Sequence, residues 1–155
     1  MKIASLFSGA GGLDKGFENA GFHTIWANEY DPAIWDTFRH NFPQTHLDTR
    51  SVVHVPSDDI PEIDGIIGGP PCQSWSEAGA GRGINDKRGQ LFYEYIRILK
   101  DKQPKFFLAE NVSGILHPKH AEAFANILNE FGWAGYKISW KLLNANDYDV
   151  PEDRL

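Results

Sequence analysis

The sequence holds one cysteine and one methionine among 155 residues. A single cysteine excludes an internal disulfide and fits a reducing compartment. No apolar run is long enough to span a membrane. The opening Met-Lys-Ile-Ala-Ser-Leu-Phe-Ser-Gly has one lysine and a short apolar run that ends in glycine, so it does not read as a signal peptide. A basic excess is missing too: 15 Lys and Arg stand against 21 Asp and Glu, a formal net charge of −6. That balance argues against this chain alone gripping a nucleic-acid backbone, because such footprints are normally basic. There is no internal repeat and no low-complexity segment. What is present is 41% hydrophobic and 13% aromatic residues, enough for one globular domain with a core.

The lone cysteine sits in the stretch that organises the chain, Asp64 to Ser76, which reads Asp-Gly-Ile-Ile-Gly-Gly-Pro-Pro-Cys-Gln-Ser-Trp-Ser. The apolar pair Ile66 and Ile67, stopped by Gly68 and Gly69, predicts a buried strand ending in a turn. Pro70 and Pro71 forbid regular continuation and stiffen the backbone. Cys72 is therefore expected on a rigid elbow at a strand end, where open α/β sheets place their ligands. A free cysteine is ordinarily a small buried apolar residue. These flanks do not suit a core position, and they favour a nucleophile.

Short apolar runs alternate with helical periodicity along the chain, which predicts an α/β fold with a mostly parallel, doubly wound sheet and crossover helices. Strands are expected over 2–7, 23–28, 45–48, 64–68 and 105–109, with a sixth over 136–143. Helices are expected over 13–20, from Pro32 to before Pro43, over 91–102 and over 121–131. Residues 56–62 read as loop. A long loop over 74–90, with Gly79, Gly81, Gly83 and Gly89, is of the kind that is usually functional.

Four strand ends carry something distinctive: Phe7-Ser8-Gly9-Ala10-Gly11-Gly12, Glu29, Pro70-Pro71-Cys72 and Glu110-Asn111. In a parallel sheet they converge on one edge. The first falls short of a dinucleotide fingerprint, because the third glycine of G-x-G-x-x-G is replaced by Asp14. An acid at that helix N-terminus is expected to repel a pyrophosphate. Glu29 is placed to accept hydrogen bonds from ribose hydroxyls. The combination suits an adenosine moiety without phosphates, such as S-adenosyl-L-methionine; a turn shaped by glycine and a solvated Glu29 is the plainer alternative. Glu110 follows Phe-Phe-Leu-Ala, and a carboxylate at the mouth of an apolar strand tends towards a raised pKa and can donate a proton. Taken singly it would be a capping acid; its pairing with Cys72 favours catalysis.

Other features are weaker. His117 and His120 lack the partners of a metal site. Trp26, Trp35, Trp133 and Trp140 suit the core or its rim, whereas Trp75 lies in the long loop beside Cys72. Lys87 and Arg88 could meet a phosphate or simply be solvated.

With these motifs in their order, the chain resembles the bacterial DNA (cytosine-5)-methyltransferases of restriction–modification systems. The carrying segments are Phe7–Gly12, Glu29, Gly69–Ser76, Arg88–Leu91, Glu110–Asn111 and, in part, Pro151–Arg154. Gly-Gly-Pro-Pro-Cys-Gln-Ser-Trp-Ser, Leu-Phe-Tyr-Glu-Tyr-Ile-Arg-Ile-Leu-Lys and Leu-Asn-Ala-Asn-Asp-Tyr look most like the HaeIII-type members, which modify GGCC sites. The resemblance implies a Rossmann-like S-adenosyl-L-methionine-dependent fold and a cytosine flipped from double-stranded DNA. By that resemblance Cys72 would attack ring carbon 6, Glu110 would hold or protonate ring nitrogen 3, and carbon 5 would take the methyl group. It implies cofactor contacts from Phe7, Gly9, Gly11, Gly12, Leu13, Glu29, Tyr30, Asp48, Thr49, Pro70 and Leu91. Asn111 resembles the residue that steadies the cysteine loop, Arg88 the loop arginine, Ser76 the residue that closes towards DNA, and Arg154 a member of the catalytic set. No metal is implied, and the location is the bacterial cytoplasm, on DNA.

The chain departs from that pattern at its end. Gln-x-Arg-x-Arg becomes Glu152-Asp153-Arg154 followed by Leu155, so the second arginine is absent. By the same resemblance, the last sheet strand, the target recognition domain and the closing C-terminal segment are expected to be absent as well. In the family the last strand inserts antiparallel between strands five and six, and its loss leaves a gap in the sheet. Residues 1–155 are thus expected to be the N-terminal part of a catalytic domain: a split subunit, a truncated product or an engineered fragment, inactive or nearly so alone, with a complementing C-terminal partner. Most of the basic DNA-binding surface would lie in that partner. Two alternatives remain: a non-catalytic S-adenosyl-L-methionine- or protein-binding module of the same fold, and a nicotinamide-dependent oxidoreductase, against which Asp14 counts.

Overall fold

The computed structural model describes residues 1–71 and 87–152, with the side chains of residues 87–89 excepted. Cys72, Trp75, Ser76 and Arg154 lie outside the described residues, as does the side chain of Arg88. Five strands form one sheet: β1 (Lys2–Leu6), β2 (His23–Asn28), β3 (His46–Asp48), β4 (Gly65–Gly68) and β5 (Phe106–Ala109). Their order is β3-β2-β1-β4-β5, and every pairing is parallel. The reversal of strand order at β1 and β4 marks the switch point where such sheets bind ligands beyond their C-terminal ends.

Alternation along β1 divides the core between the two faces of the sheet. Ala4 and Leu6 pack with Trp26 and Ile66 against helix α3 (Lys87–Lys102), through Phe92, Tyr95, Ile96 and Leu99. Each buried Leu, Ile or Phe side chain among these contributes about 1.5–3 kcal/mol. Tyr95 is fully buried, and its hydroxyl donates to the Leu108 carbonyl at 3.0 Å, as a buried phenol requires. Helix α4 (Ala121–Trp133) joins the same face through Ile127 and Phe131. Helix α1 (Gly12–Asn19) covers the other face, where the rings of Phe17, Phe22 and Phe106 lie within 6.4 Å of one another. It ends in a Schellman turn: Gly21 at φ +86° donates to Glu18, and Phe22 donates to Phe17. Helix α2 (Trp35–Asn41) buries Phe38 on Ala27 and Phe42.

Two expectations change. Helix α3 begins at Lys87 instead of Leu91, so the loop expected over 74–90 is shorter at its end. Gly89 within a first turn costs only about 1 kcal/mol and does not stop a helix. The sixth strand expected over 136–143 is not in the sheet. That segment is held to the β5 region by side chains: the Tyr136 hydroxyl donates to the Pro104 carbonyl at 2.9 Å, and its ring meets Phe107 edge-on at 5.0 Å. Between it and β5 runs a groove of about 1250 Å³. A strand cannot form without a neighbour to share its ladder about 4.8 Å away. The alternating apolar pattern was therefore insufficient. Leu108 on β5 stays 38% exposed, although parallel strands are normally covered on both faces. No helix among the described residues is long and apolar enough to cross a membrane.

Candidate active site

The loop from β1 into α1 turns through three residues of positive φ: Phe7 at +56°, Gly9 at +56° and Gly11 at +88°. An aromatic residue in that region is strained and marks a constrained site. At Gly11 a Cβ would lie 2.0 Å from the Phe42 ring, so only glycine lets the loop sit on α2. The loop is fastened to the end of β2. Ser8 N–H donates to the Asn28 carbonyl at 3.1 Å, and Gly9 N–H donates to Glu29 Oε2 at 2.9 Å. Glu29 Oε1 accepts from Asp31 N–H at 2.8 Å. Each carboxylate oxygen keeps lone-pair capacity for another donor, which fits the ribose role expected of Glu29. The buried Ser8 hydroxyl has no hydrogen-bond partner among the described residues, and Tyr30 beside Glu29 is 69% exposed.

Asp14 corrects the reason given for excluding a dinucleotide. Its side chain does not face the loop mouth; it is fully buried beneath α1 and accepts from the Ser5 hydroxyl at 3.0 Å. The carboxyl fills the helix–strand contact that a third glycine leaves open. Burial pushes the Asp14 carboxyl up, against the lowering effect of the Ser5 hydrogen bond. The folded state therefore holds its proton at pH values where the unfolded chain, near a pKa of about 3.9, has lost it. Stability from this site is present at low pH and declines as pH rises through the raised value. Asn in place of Asp14 has no proton to lose. Its melting temperature relative to the parent should climb between about pH 4 and pH 7. Thermal unfolding at both values checks this, and a pH-independent difference would refute it.

At the end of β3, Asp48 is buried and bound by its own neighbour. Its Oδ1 accepts from the Arg50 N–H at 3.0 Å and from Arg50 Nε at 3.1 Å, and its Oδ2 accepts from a terminal guanidinium nitrogen at 2.5 Å. Arg50 also reaches Asp59 at 2.7 Å. Asn28 donates both amide hydrogens across the strand ends, to the carbonyls of Asp48 at 3.0 Å and Arg50 at 2.8 Å. Burial alone would raise the Asp48 carboxyl, but the hydrogen bonds and charge of Arg50 outweigh it and hold the carboxyl below its usual range. Sequence reasoning missed both Asn28 and Arg50. The available signals were a polar residue ending an apolar strand and the Asp-x-Arg spacing.

β4 and β5 end side by side, with Gly68 opposite Ala109, and Glu110 N–H donates to the Gly68 carbonyl at 2.9 Å. A Cβ on Gly69 would lie 3.1 Å from Glu110 Oε2, so the carboxylate rests directly over the Gly-Pro-Pro segment. Asn111 Nδ2 donates to the Pro70 carbonyl at 2.9 Å. The Glu110 carboxylate is solvent-accessible and makes no hydrogen bond or ion pair among the described residues. Leu13, Pro70, Glu110 and Asn111 line the end of the groove described above. Leu91 is half-buried against the core, and Thr49 is half-buried beside Asp48. Trp35 donates its ring N–H to the Glu29 carbonyl at 2.9 Å. Trp133 and Trp140 are 73% and 57% exposed.

Comparison with known proteins places this geometry in a family. The family model described as C-5 cytosine-specific DNA methylase matches residues 1–155. The Type II methyltransferase M.FnuDI of Fusobacterium nucleatum is 62% identical over 154 residues, covering 99% of this chain and 44% of that protein. The Type II methyltransferase M.NgoPII of Neisseria gonorrhoeae is 61% identical over 155 residues, covering 99% of this chain and 46% of that protein. The chain thus spans less than half the length of these relatives. The crystal structure of a prophage-encoded DNA modification methyltransferase of E. coli superposes with a TM-score of 0.81 at 35% identity, over 99% of this chain and 44% of that one.

Proposed function

Because the chain belongs to the C-5 cytosine-specific DNA methylase family, we propose that it is the N-terminal part of a catalytic domain that methylates carbon 5 of a flipped cytosine in duplex DNA. The observation that carries this reading is the Glu110 carboxylate lying against Gly69, three residues before the single cysteine. A proton donor and a sulfur nucleophile on adjacent strand ends are the two groups that cytosine activation needs. The Cys72 thiolate adds to ring carbon 6, and the electron pair of the 5,6 double bond moves to carbon 5. Glu110 gives or shares a proton at ring nitrogen 3, which keeps that charge from building up. After methylation, loss of the carbon 5 proton to a base restores the double bond and expels Cys72. Asn111 holds Pro70, and so the elbow, in place.

The methyl group is supplied by S-adenosyl-L-methionine when bound. The residues fit such a donor. The Phe7–Gly12 loop is open above Gly9, where a Cβ would meet nothing within 4 Å. Glu29 and Asp48 are acceptors in a row over β2 and β3, suited to hydroxyl and amino hydrogens and unsuited to phosphates. Tyr30 offers an exposed ring for the base, while Gly11, Gly12, Leu13, Thr49, Pro70 and Leu91 complete the lining. Ser76 and Arg88 serve the DNA side, and Arg154 joins the catalytic set. A bacterial, cytoplasmic restriction–modification setting follows from the same reading.

Activity requires a further C-terminal segment. The edge of β5, which pairs with no further strand among the described residues, the groove beside it and the exposed Trp140, Leu142 and Leu143 support a strand being added there, with the basic recognition surface arriving on the same segment. The test is transfer of tritiated methyl to duplexes with and without GGCC, by the chain alone and mixed with such a segment. Transfer on mixing, and little by the chain alone, is expected. Binding of the methyl donor without transfer under any complementation would overturn the catalytic reading in favour of a binding module.

A further inference from the structure

We propose that Asp14 is a positioning residue for the methyl donor: with Ser5 and Thr24 it seats the start of α1 beneath the Phe7–Gly12 loop, and donor binding is tied to a proton held on its carboxyl. The proposal rests on the methyl-donor reading above. It gives a task to a buried acid that the methylation chemistry leaves unused.

Asp14 stands in the first turn of α1 and is 0% exposed. Main-chain hydrogen bonds join that turn to the loop ahead of it: Gly11 N–H donates to the Ser8 carbonyl at 3.0 Å, and Lys15 N–H donates to the Gly11 carbonyl at 2.9 Å. A shift of the turn therefore moves the loop. Beneath the turn, the Ser5 hydroxyl donates to Asp14 Oδ2 at 3.0 Å. Asp14 Oδ1 and the Thr24 hydroxyl are both buried, and neither has a hydrogen-bond partner among the described residues, although Thr24 is near enough to act on the carboxyl. A carboxylate can only accept, so an ionised Asp14 is a buried charge with a single side-chain donor, a costly state. A proton on Oδ1 removes the charge and adds a donor that the Thr24 oxygen can accept.

The elements packed on α1 leave that balance in place. β1 offers Ser5, β2 offers Thr24 with His23 exposed beside it, and β4 is Gly-Ile-Ile-Gly. On α1 itself Glu18 adds to the raising effect of burial, and Lys15 pairs with Glu18 at 3.7 Å. When the proton leaves, drawing the first turn towards water relieves the charge, and the loop departs from the seat that the donor needs. Affinity is thus highest while the carboxyl is neutral, and it declines as pH rises through the raised value.

The experiment is calorimetric binding of S-adenosylhomocysteine to the chain in steps from about pH 4 to about pH 8. That ligand lacks the sulfonium, so attraction to the carboxylate does not offset the seating effect. The reference is Asp14→Asn, which accepts from Ser5 and supplies an N–H donor, and so stands for the neutral acid at every pH. Relative to it, the affinity of the parent should fall roughly three- to tenfold across the range. Hydrogen-exchange protection of the Gly11 and Lys15 amides, read without ligand, should fall in the same sense. Because Ser5 lowers the carboxyl, Ser5→Ala should move both falls to higher pH. A purely structural Asp14 would leave the ratio of affinities independent of pH, and that result overturns the proposal. A parent that binds no S-adenosylhomocysteine at any of these values overturns the methyl-donor reading instead, and the exchange protection then decides the seating by itself.

Discussion

Replacing Cys72 by alanine should lower methyl transfer by the complemented protein by at least about 10⁴-fold, as expected when a covalent nucleophile is removed. The lone cysteine makes the test clean, because no second thiol can substitute. Binding of S-adenosylhomocysteine should be unchanged, since in the proposed mechanism the sulfur acts on the base. A duplex carrying 5-fluorocytosine provides a second readout. After methylation, carbon 5 holds fluorine where a proton must leave, and fluorine does not depart as a cation. The parent should therefore accumulate a covalent protein–DNA adduct that survives denaturing electrophoresis, and the alanine variant should form none. An alanine variant with parental activity would end the proposal.

Glu110→Gln should cost about 10²- to 10⁴-fold in turnover, the usual contribution of a positioned general acid. The amide can hydrogen-bond to ring nitrogen 3 but cannot hand over a proton. Fold stability should move by less than about 0.5 kcal/mol, as for surface substitutions with no special feature, because the carboxylate has no hydrogen bond or ion pair among the described residues to lose. The contrast with Asn111 is useful. Its amide holds the Pro70 carbonyl, so removing it should disturb the elbow itself. Parallel measurement of turnover and melting temperature separates the two roles. Loss of stability in Glu110→Gln comparable to that of Asn111→Ala would assign Glu110 a structural part and remove it from the chemistry.

Much of this site is legible in the chain. Strand ends announce themselves: Gly68-Gly69-Pro70-Pro71 cannot continue β4, and Gly9, Gly11 and Gly12 cannot continue β1. Parallel strands carry all such ends to one edge. Glu29, Glu110 and Asn111 follow from the same rule, because each sits where an apolar run stops. Asp14 shows the rule's limit. Its position in the fingerprint was visible, but the side chain's direction was not, because that depended on Ser5 lying across the helix–strand contact.

What the amino-acid order determined alone was the first five strands with the helices between them, and the grouping of motifs at the C-terminal edge of a parallel sheet. Local backbone chemistry and apolar periodicity act over a few residues, and a few residues suffice to read them. Only the tertiary structure decided that 136–143 stands off β5 across a groove, that Arg50 spans Asp48 and Asp59, and that Glu110 rests on Gly69. The first and last of these join residues far apart in the chain, and the Arg50 pairings join neighbouring segments. Whether each forms depends on which neighbour is present to complete a ladder, neutralise a buried charge or leave room where a Cβ would stand.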